Sequence, residues 1–154
     1  MLLRAYSESD ARETLDVFTR AVQVTARRDY SQRQVDAWAG PDRNLAHWHD
    51  ARASTSTQVA VIDGRLVGFI GVSPSGYIGM LFVDPSHQRQ GVASALLRWA
   101  REHARMAGAG ELSTHASITA RPFFESHGFA VDNVRTPTVR GVAFRNYQMS
   151  IQLD

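Results

Sequence analysis

Apolar residues recur along this chain in two rhythms, and the rhythm changes at turn signals. Ala11, Leu15, Phe18 and Val22 return at steps of three and four, so Glu8 to Arg27 predicts a helix with one buried stripe. Ser7, Ser9 and Asp10 precede it with oxygens suited to capping free helical N–H groups. Upstream, Met1 to Tyr6 predicts a short strand. Asp29 to Gly40 predicts a second helix, with Ser31 as its cap and Gly40-Pro41 as its stop, and Asn44 to Ala53 predicts a third. The rhythm then shortens. Gln58 to Ile62 and Leu66 to Val72 are compact apolar runs joined by Asp63-Gly64, a hairpin signal. Tyr77 to Val83 follows the turn Ser73-Pro74-Ser75-Gly76. Strands linked by such tight turns predict an antiparallel meander.

The helical rhythm returns from Gly91 to Ala107. Val92, Leu96, Trp99 or Ala100, and His103 form the stripe, Arg98, Arg101, Glu102 and Arg105 lie outside it, and Gly108 and Gly110 end it. Glu111 to His115 predicts a strand. Ser117 or Thr119 then caps a helix running to Ser126, with Pro122 tolerated in its first turn. Phe129 to Val139 and Val142 to Leu153 flank Arg140-Gly141 and predict a closing hairpin. The strand–helix–strand passage in the middle needs a crossover, whereas both flanks are antiparallel. The predicted fold is therefore α/β (α+β): a mixed, mostly antiparallel central sheet with flanking helices, in one domain spanning 1–154.

Composition removes several chemistries. All 17 basic residues are arginine, and the chain contains neither lysine nor cysteine. A disulfide framework, a thiolate metal site, a catalytic thiol, a lysine Schiff base and a Walker-type phosphate lysine are all excluded. Apolar content of 44% with 21% charged residues marks a globular chain, and the net charge of +2 argues against a nucleic-acid partner. No apolar run approaches the roughly 18 residues of a membrane span, and Met1 to Arg12 has no signal-peptide pattern. A cytoplasmic protein without membrane or nucleic-acid partners is expected.

The chemistry gathers where the third meander strand runs into the main helix. Gln88-Arg89-Gln90-Gly91-Val92-Ala93 sits between them. Amides at a helix start have no intrahelical partner, and the helix dipole adds positive potential there. Gly91 and Ala93 leave a phosphate room to approach the backbone, and Arg89 adds a cationic fork. This segment resembles the pyrophosphate-binding motif Q/R-x-x-G-x-G/A of the GCN5-related N-acetyltransferases. Leu81-Phe82-Val83-Asp84-Pro85 is similar to that family's strand end beside the pantetheine arm of acetyl-CoA. Ala120-Arg121-Pro122-Phe123-Phe124-Glu125-Ser126-His127-Gly128-Phe129 resembles its A-x-x-F-Y-x-x-x-G-F segment.

The resemblance implies acetyl-CoA as co-substrate, with no metal, and acetyl transfer to a primary amine of a small molecule or peptide. It implies cofactor contacts at Leu81, Phe82, Val83, Gln88, Arg89, Gln90, Gly91, Val92, Ala93, Ser94, Ser117 and Phe124. Two positions depart from the pattern. Phe124 replaces a tyrosine that protonates the leaving thiolate, and Ser117 replaces an asparagine. A non-catalytic acyl-CoA-binding module on the same fold is the alternative reading. Tyr147, His115 and Tyr30 are the candidate catalytic groups, with Tyr77 read mainly as a strand residue. His47 and His49 lack a third metal ligand, and Trp38 and Trp48 read as core, with lining of an apolar acceptor site as the alternative. Relatives that pair through terminal strands imply a possible homodimer.

Overall fold

The structure is a computed structural model describing residues 1–154. Nine strands and five α-helices follow in the order β1 (Leu2–Ala5), α1 (Ala11–Arg20), α2 (Gln32–Trp38), α3 (Leu45–Ala53), β2 (Ser56–Ile62), β3 (Arg65–Val72), β4 (Tyr77–Val83), α4 (Val92–Met106), β5 (Glu111–Ser117), α5 (Arg121–Ser126), β6 (Ala130–Arg135), β7 (Thr138–Val139), β8 (Val142–Ala143) and β9 (Asn146–Gln152). Seven strands form one sheet in the order β1-β2-β3-β4-β5-β9-β6. β4 and β5 are parallel and joined through α4, and the sheet's other pairs are antiparallel. The mixed α+β fold matches the sequence expectation.

Two buried clusters cover the two faces of this sheet. On one face, Val92, Leu96, Leu97, Ala100 and Ala104 of α4 pack on Val67, Ile70, Ile78, Leu112 and Met149. On the other, Leu15, Phe18 and Val22 pack with Val35, Trp48, Val59 and Phe69. Burying each such side chain contributes roughly 1.5–3 kcal/mol, which makes the i, i+4 stripe of α4 decisive for that helix.

Three differences from the sequence pattern matter for the site. The first helix is not uniform. A 3₁₀ turn (Glu8–Asp10) leads into α1, which widens into a π segment (Ala21–Thr25) and tightens into 3₁₀ turns at Ala26–Arg28. The closing hairpin about Arg140-Gly141 forms but is interrupted. β6 pairs with β9 and β7 with β8 in one register, with the Phe144 amide donating to the Pro137 carbonyl (2.9 Å) between the two stretches, and β9 lies between β6 and β5. Last, β4 carries one extra residue. Met80 pairs with Gly71 and Ile78 with Val72, so Gly79 bulges. The bulge breaks the two-residue alternation. Ile78, Leu81 and Val83 all join the α4-side core, whereas Met80 and Phe82 face the α1 side.

Candidate active site

β4 and β5 start as partners and then part. They pair only at Tyr77 with Ser113 and Ile78 with Thr114. Gly76 anchors this closed end, where its carbonyl accepts the Ser113 amide (2.9 Å). Thr114 Oγ1 adds a bond to the Ile78 carbonyl (3.0 Å). Beyond it, β5 turns wholly to β9, with which it pairs from Glu111 to Ser117. The gap between the diverging strands is a cleft of about 380 Å³. Past Ile78, alternate β4 backbone groups face that gap without a strand partner.

At the far end of β4 the cleft meets the start of α4. Asp84 ends the strand, accepting from the Ser86 amide (3.0 Å) and hydroxyl (2.7 Å) and from Arg20 Nε (2.9 Å). Burial pushes the Asp84 carboxyl up, but the hydrogen bonds from Ser86 and Arg20 outweigh it and hold the group at about 2. The first α4 hydrogen bond runs from the Ala95 amide to the Gly91 carbonyl (3.0 Å), and no amide from Gln88 to Ser94 donates within the chain. Gly91 has φ +81°, with nothing within 4 Å of where a Cβ would stand. A run of unpartnered amides around an open left-handed glycine is a cradle for phosphate oxygens.

The structure gathers most of the sequence candidates here. Leu81, Phe82, Val83, Gln88, Ala93, His115, Ser117 and Phe124 line the cleft. Arg89, Gln90 and Gly91 are exposed on the adjoining turn. Val92 has its side chain in the core and offers only its amide to the cradle. Ser94 Oγ is 3.1 Å from His127 Nε2. Ser117 Oγ accepts the Ala120 amide (3.0 Å), which links β5 to α5.

The three catalytic candidates separate. His115 lines the cleft, and its Nδ1 is 3.1 Å from the Tyr77 hydroxyl. Burial lowers the His115 pKa, and the Arg135 charge adds to the effect. Burial raises the Tyr77 pKa. Tyr30 and Tyr147 are not among the lining residues. The Tyr30 hydroxyl donates to the Arg145 carbonyl (2.5 Å) and accepts the Ile118 amide (2.9 Å). Tyr147 is buried in the core, with the Arg121 guanidinium 4.5 Å from its ring centroid. Trp48 is core, donating to Thr14 Oγ1 (3.0 Å). His49 is engaged by Tyr6 (2.9 Å) and Glu8 (3.3 Å).

Several cleft residues carry a weak sequence signal or none. Trp38, Met80, Phe144 and Asn146 line it, although they come from α2, β4, the turn after β8 and the start of β9. Trp38 reads as core because it stands at helical spacing. Tyr77 reads as strand packing until the fold places His115 beside it.

Comparison with known proteins agrees with this geometry. The acetyltransferase (GNAT) domain model matches residues 26–151. The uncharacterized N-acetyltransferase YafP of Escherichia coli K12 is 40% identical over 147 residues, covering 96% of this chain and 93% of that protein. The crystal structure of a GCN5-related N-acetyltransferase from Rhodopseudomonas palustris superposes with a TM-score of 0.95 at 28% identity, covering 99% of this chain and 95% of that one. The PaiA N-acetyltransferase of Thermoplasma acidophilum, solved in complex with coenzyme A, shares the fold with a TM-score of 0.80 at 17% identity, over 98% of both chains. The splayed strands, the amide cradle and the matching domain model lead to one conclusion: this chain belongs to the GCN5-related N-acetyltransferase family and is an N-acetyltransferase.

Proposed function

We propose that this protein moves an acetyl group from acetyl-CoA directly to a primary amine of a small molecule or peptide. The observation that carries the reading is the opening of β4 from β5 onto a turn of unpartnered amides. That shape fits acetyl-CoA at both ends: the amides from Gln88 to Ser94 suit a pyrophosphate, and the unpaired edge of β4 suits an amide-bearing arm. Acetyl-CoA supplies the reactive thioester.

The chain supplies orientation and proton handling. In the tautomer with its proton on Nδ1, His115 donates to the Tyr77 oxygen and presents a free Nε2 lone pair. Its lowered pKa keeps the imidazole neutral at neutral pH, so Nε2 can accept the proton shed as the amine nitrogen bonds the acetyl carbon. The carbon–sulfur bond breaks and CoA leaves as the thiolate. With no cysteine in the chain, no acetyl-cysteine intermediate forms, and transfer within a ternary complex remains. Tyr30 has its hydroxyl bonded on both sides and holds the site's wall rather than moving protons.

Thiol release from acetyl-CoA across a panel of amines tests the reading. Amine-dependent release supports it, and tight acetyl-CoA binding with no release from any amine overturns it. Gly91→Trp fills the cradle and should abolish acetyl-CoA binding by calorimetry. Unchanged binding would place the phosphates elsewhere.

A further inference from the structure

The cleft has two halves with different chemistry. The bulge at Gly79 sends Ile78, Leu81 and Val83 toward α4, the helix whose start carries the free amides. That half faces the acyl donor. On β5, Leu112 and Ala116 point into the α4-side core, so His115, one step out of phase, faces the α1 side. Tyr77, Met80 and Phe82 face the same way. The half that holds the base is therefore the half into which the acceptor must come.

That half is walled by rings and lacks fixed charge. Trp38 stands 6.2 Å from Phe82 and 6.2 Å from Phe144 between ring centroids, in edge-to-face arrangements. Tyr30 braces the wall from behind, 5.7 Å from both Trp38 and Phe144, and its hydroxyl is tied to Arg145 and Ile118. No aspartate, glutamate or arginine lines the cleft, and His115 and Tyr77 are its titratable groups. Two charges stand directly behind the lining, each tied to it by a hydrogen bond, and one of them, Arg135, also acts on His115. Asp29 accepts from Thr119 Oγ1 (2.8 Å), and Arg135 donates to Asn146 Oδ1 (3.0 Å).

We infer that the acceptor is an apolar monoamine, whose aromatic or aliphatic body lies against Trp38, Phe82 and Phe144 while its single nitrogen meets His115. The inference rests on the acetyl-transfer reading. A polyamine or an aminoglycoside would bring further ammonium groups into a space with no carboxylate to receive them. A free amino acid would bring a carboxylate with no arginine lining the cleft to meet it. Unpaired charge in an apolar site is strongly disfavoured, whereas a ring against rings gains from burial and from edge-to-face contact.

The test compares kcat/KM for 2-phenylethylamine, spermidine and glycine, by thiol release from saturating acetyl-CoA. 2-Phenylethylamine should exceed the other two by at least about tenfold. Equal or better use of spermidine or glycine overturns the inference while leaving acetyl transfer standing. Release with none of the three, despite measured acetyl-CoA binding, counts against both. Met80→Glu gives a second readout that does not depend on loss of function. A carboxylate placed in the acceptor half should shift the spermidine-to-phenylethylamine ratio upward by about tenfold with acetyl-CoA affinity unchanged. An unchanged ratio in a variant that folds and binds acetyl-CoA overturns the placement of the acceptor.

Discussion

Strand β5 has two edges with opposite fates. Toward β9 it is closed along seven paired positions, from Glu111–Gln152 to Ser117–Asn146. Toward β4 it is closed for two positions and then open. Its side chains divide by face: Leu112 and Ala116 enter the α4-side core with Met149 and are almost completely buried. His115 and Ser117, out of phase with them, line the cleft that opens where β4 departs. The same strand thus contributes to stability by hydrogen-bonding one neighbour and to function by leaving the other. An edge that stops pairing inside a sheet leaves backbone groups without partners, and those are the groups an extended ligand can satisfy.

The largest expected effect strikes the short closed end of β4–β5. A Cβ on Gly76 would lie 2.0 Å from the Glu111 carbonyl oxygen, at φ +90°. Gly76→Ala should destabilise the protein by more than about 3 kcal/mol, seen as a drop in urea midpoint or as loss of soluble protein. A near-normal midpoint would show that the two-position clamp does not set where the strands part.

His115 comes next. His115→Ala should lower kcat/KM by about 100-fold or more while acetyl-CoA affinity holds. The parent enzyme should lose activity on acidification, with the falling limb below the ordinary histidine value of 6.5, because the folded environment lowers this pKa. The variant should lack that limb. An unaltered profile would move the proton-accepting role away from the open edge.

Asp84 closes the strand at the cradle end, and its effect is smaller. Its folded pKa of about 2 lies below the ordinary 3.8, so its contribution is complete above 3.8 and fades as pH falls toward 2. Melting temperature should therefore fall more steeply with acid in the parent than in Asp84→Asn, by a difference worth about 1–2 kcal/mol. Parallel curves would mean that Arg20 and Ser86 do not hold this carboxylate as their geometry implies. The smallest change is expected from Phe124→Tyr. Phe124 is buried between Phe123 and Phe129, so a hydroxyl added there would enter apolar packing. The added hydroxyl should alter kcat by less than about threefold. A large gain would restore a tyrosine acid to the mechanism.

Much of this was legible in the sequence because the signals are local. Ser31 forms the expected cap, α4 follows its apolar stripe, and the turn before it presents the expected amides. What escaped depends on distant partners. Tyr77 to Val83 is apolar at nearly every position, so the slip at Gly79 leaves no trace in the alternation. Phe129 to Leu153 reads as one hairpin, and it forms, but its interruption between Arg135 and Thr138 and the pairing of β9 with β5 on its far side leave no local trace. Tyr30 looks like a reactive hydroxyl in sequence. Only the fold brings Arg145 and Ile118 to both sides of it. His115 and Tyr77 lie 38 residues apart, and nothing short of the parallel β4–β5 pairing joins them.

The π segment gives the site an unusual kind of adjustability. There the Ala26 amide reaches back to the Ala21 carbonyl, and Ala21, Thr25 and Ala26 all face the cleft. A π turn is a helix holding one residue more than its span requires. Deleting a single codon between 21 and 25 would restore regular winding with the turns on either side left in place. Ring identities and positions would be untouched, yet the wall would lose one of the residues it draws from this segment. A change of length at this point would therefore reshape the cleft without exchanging any other side chain.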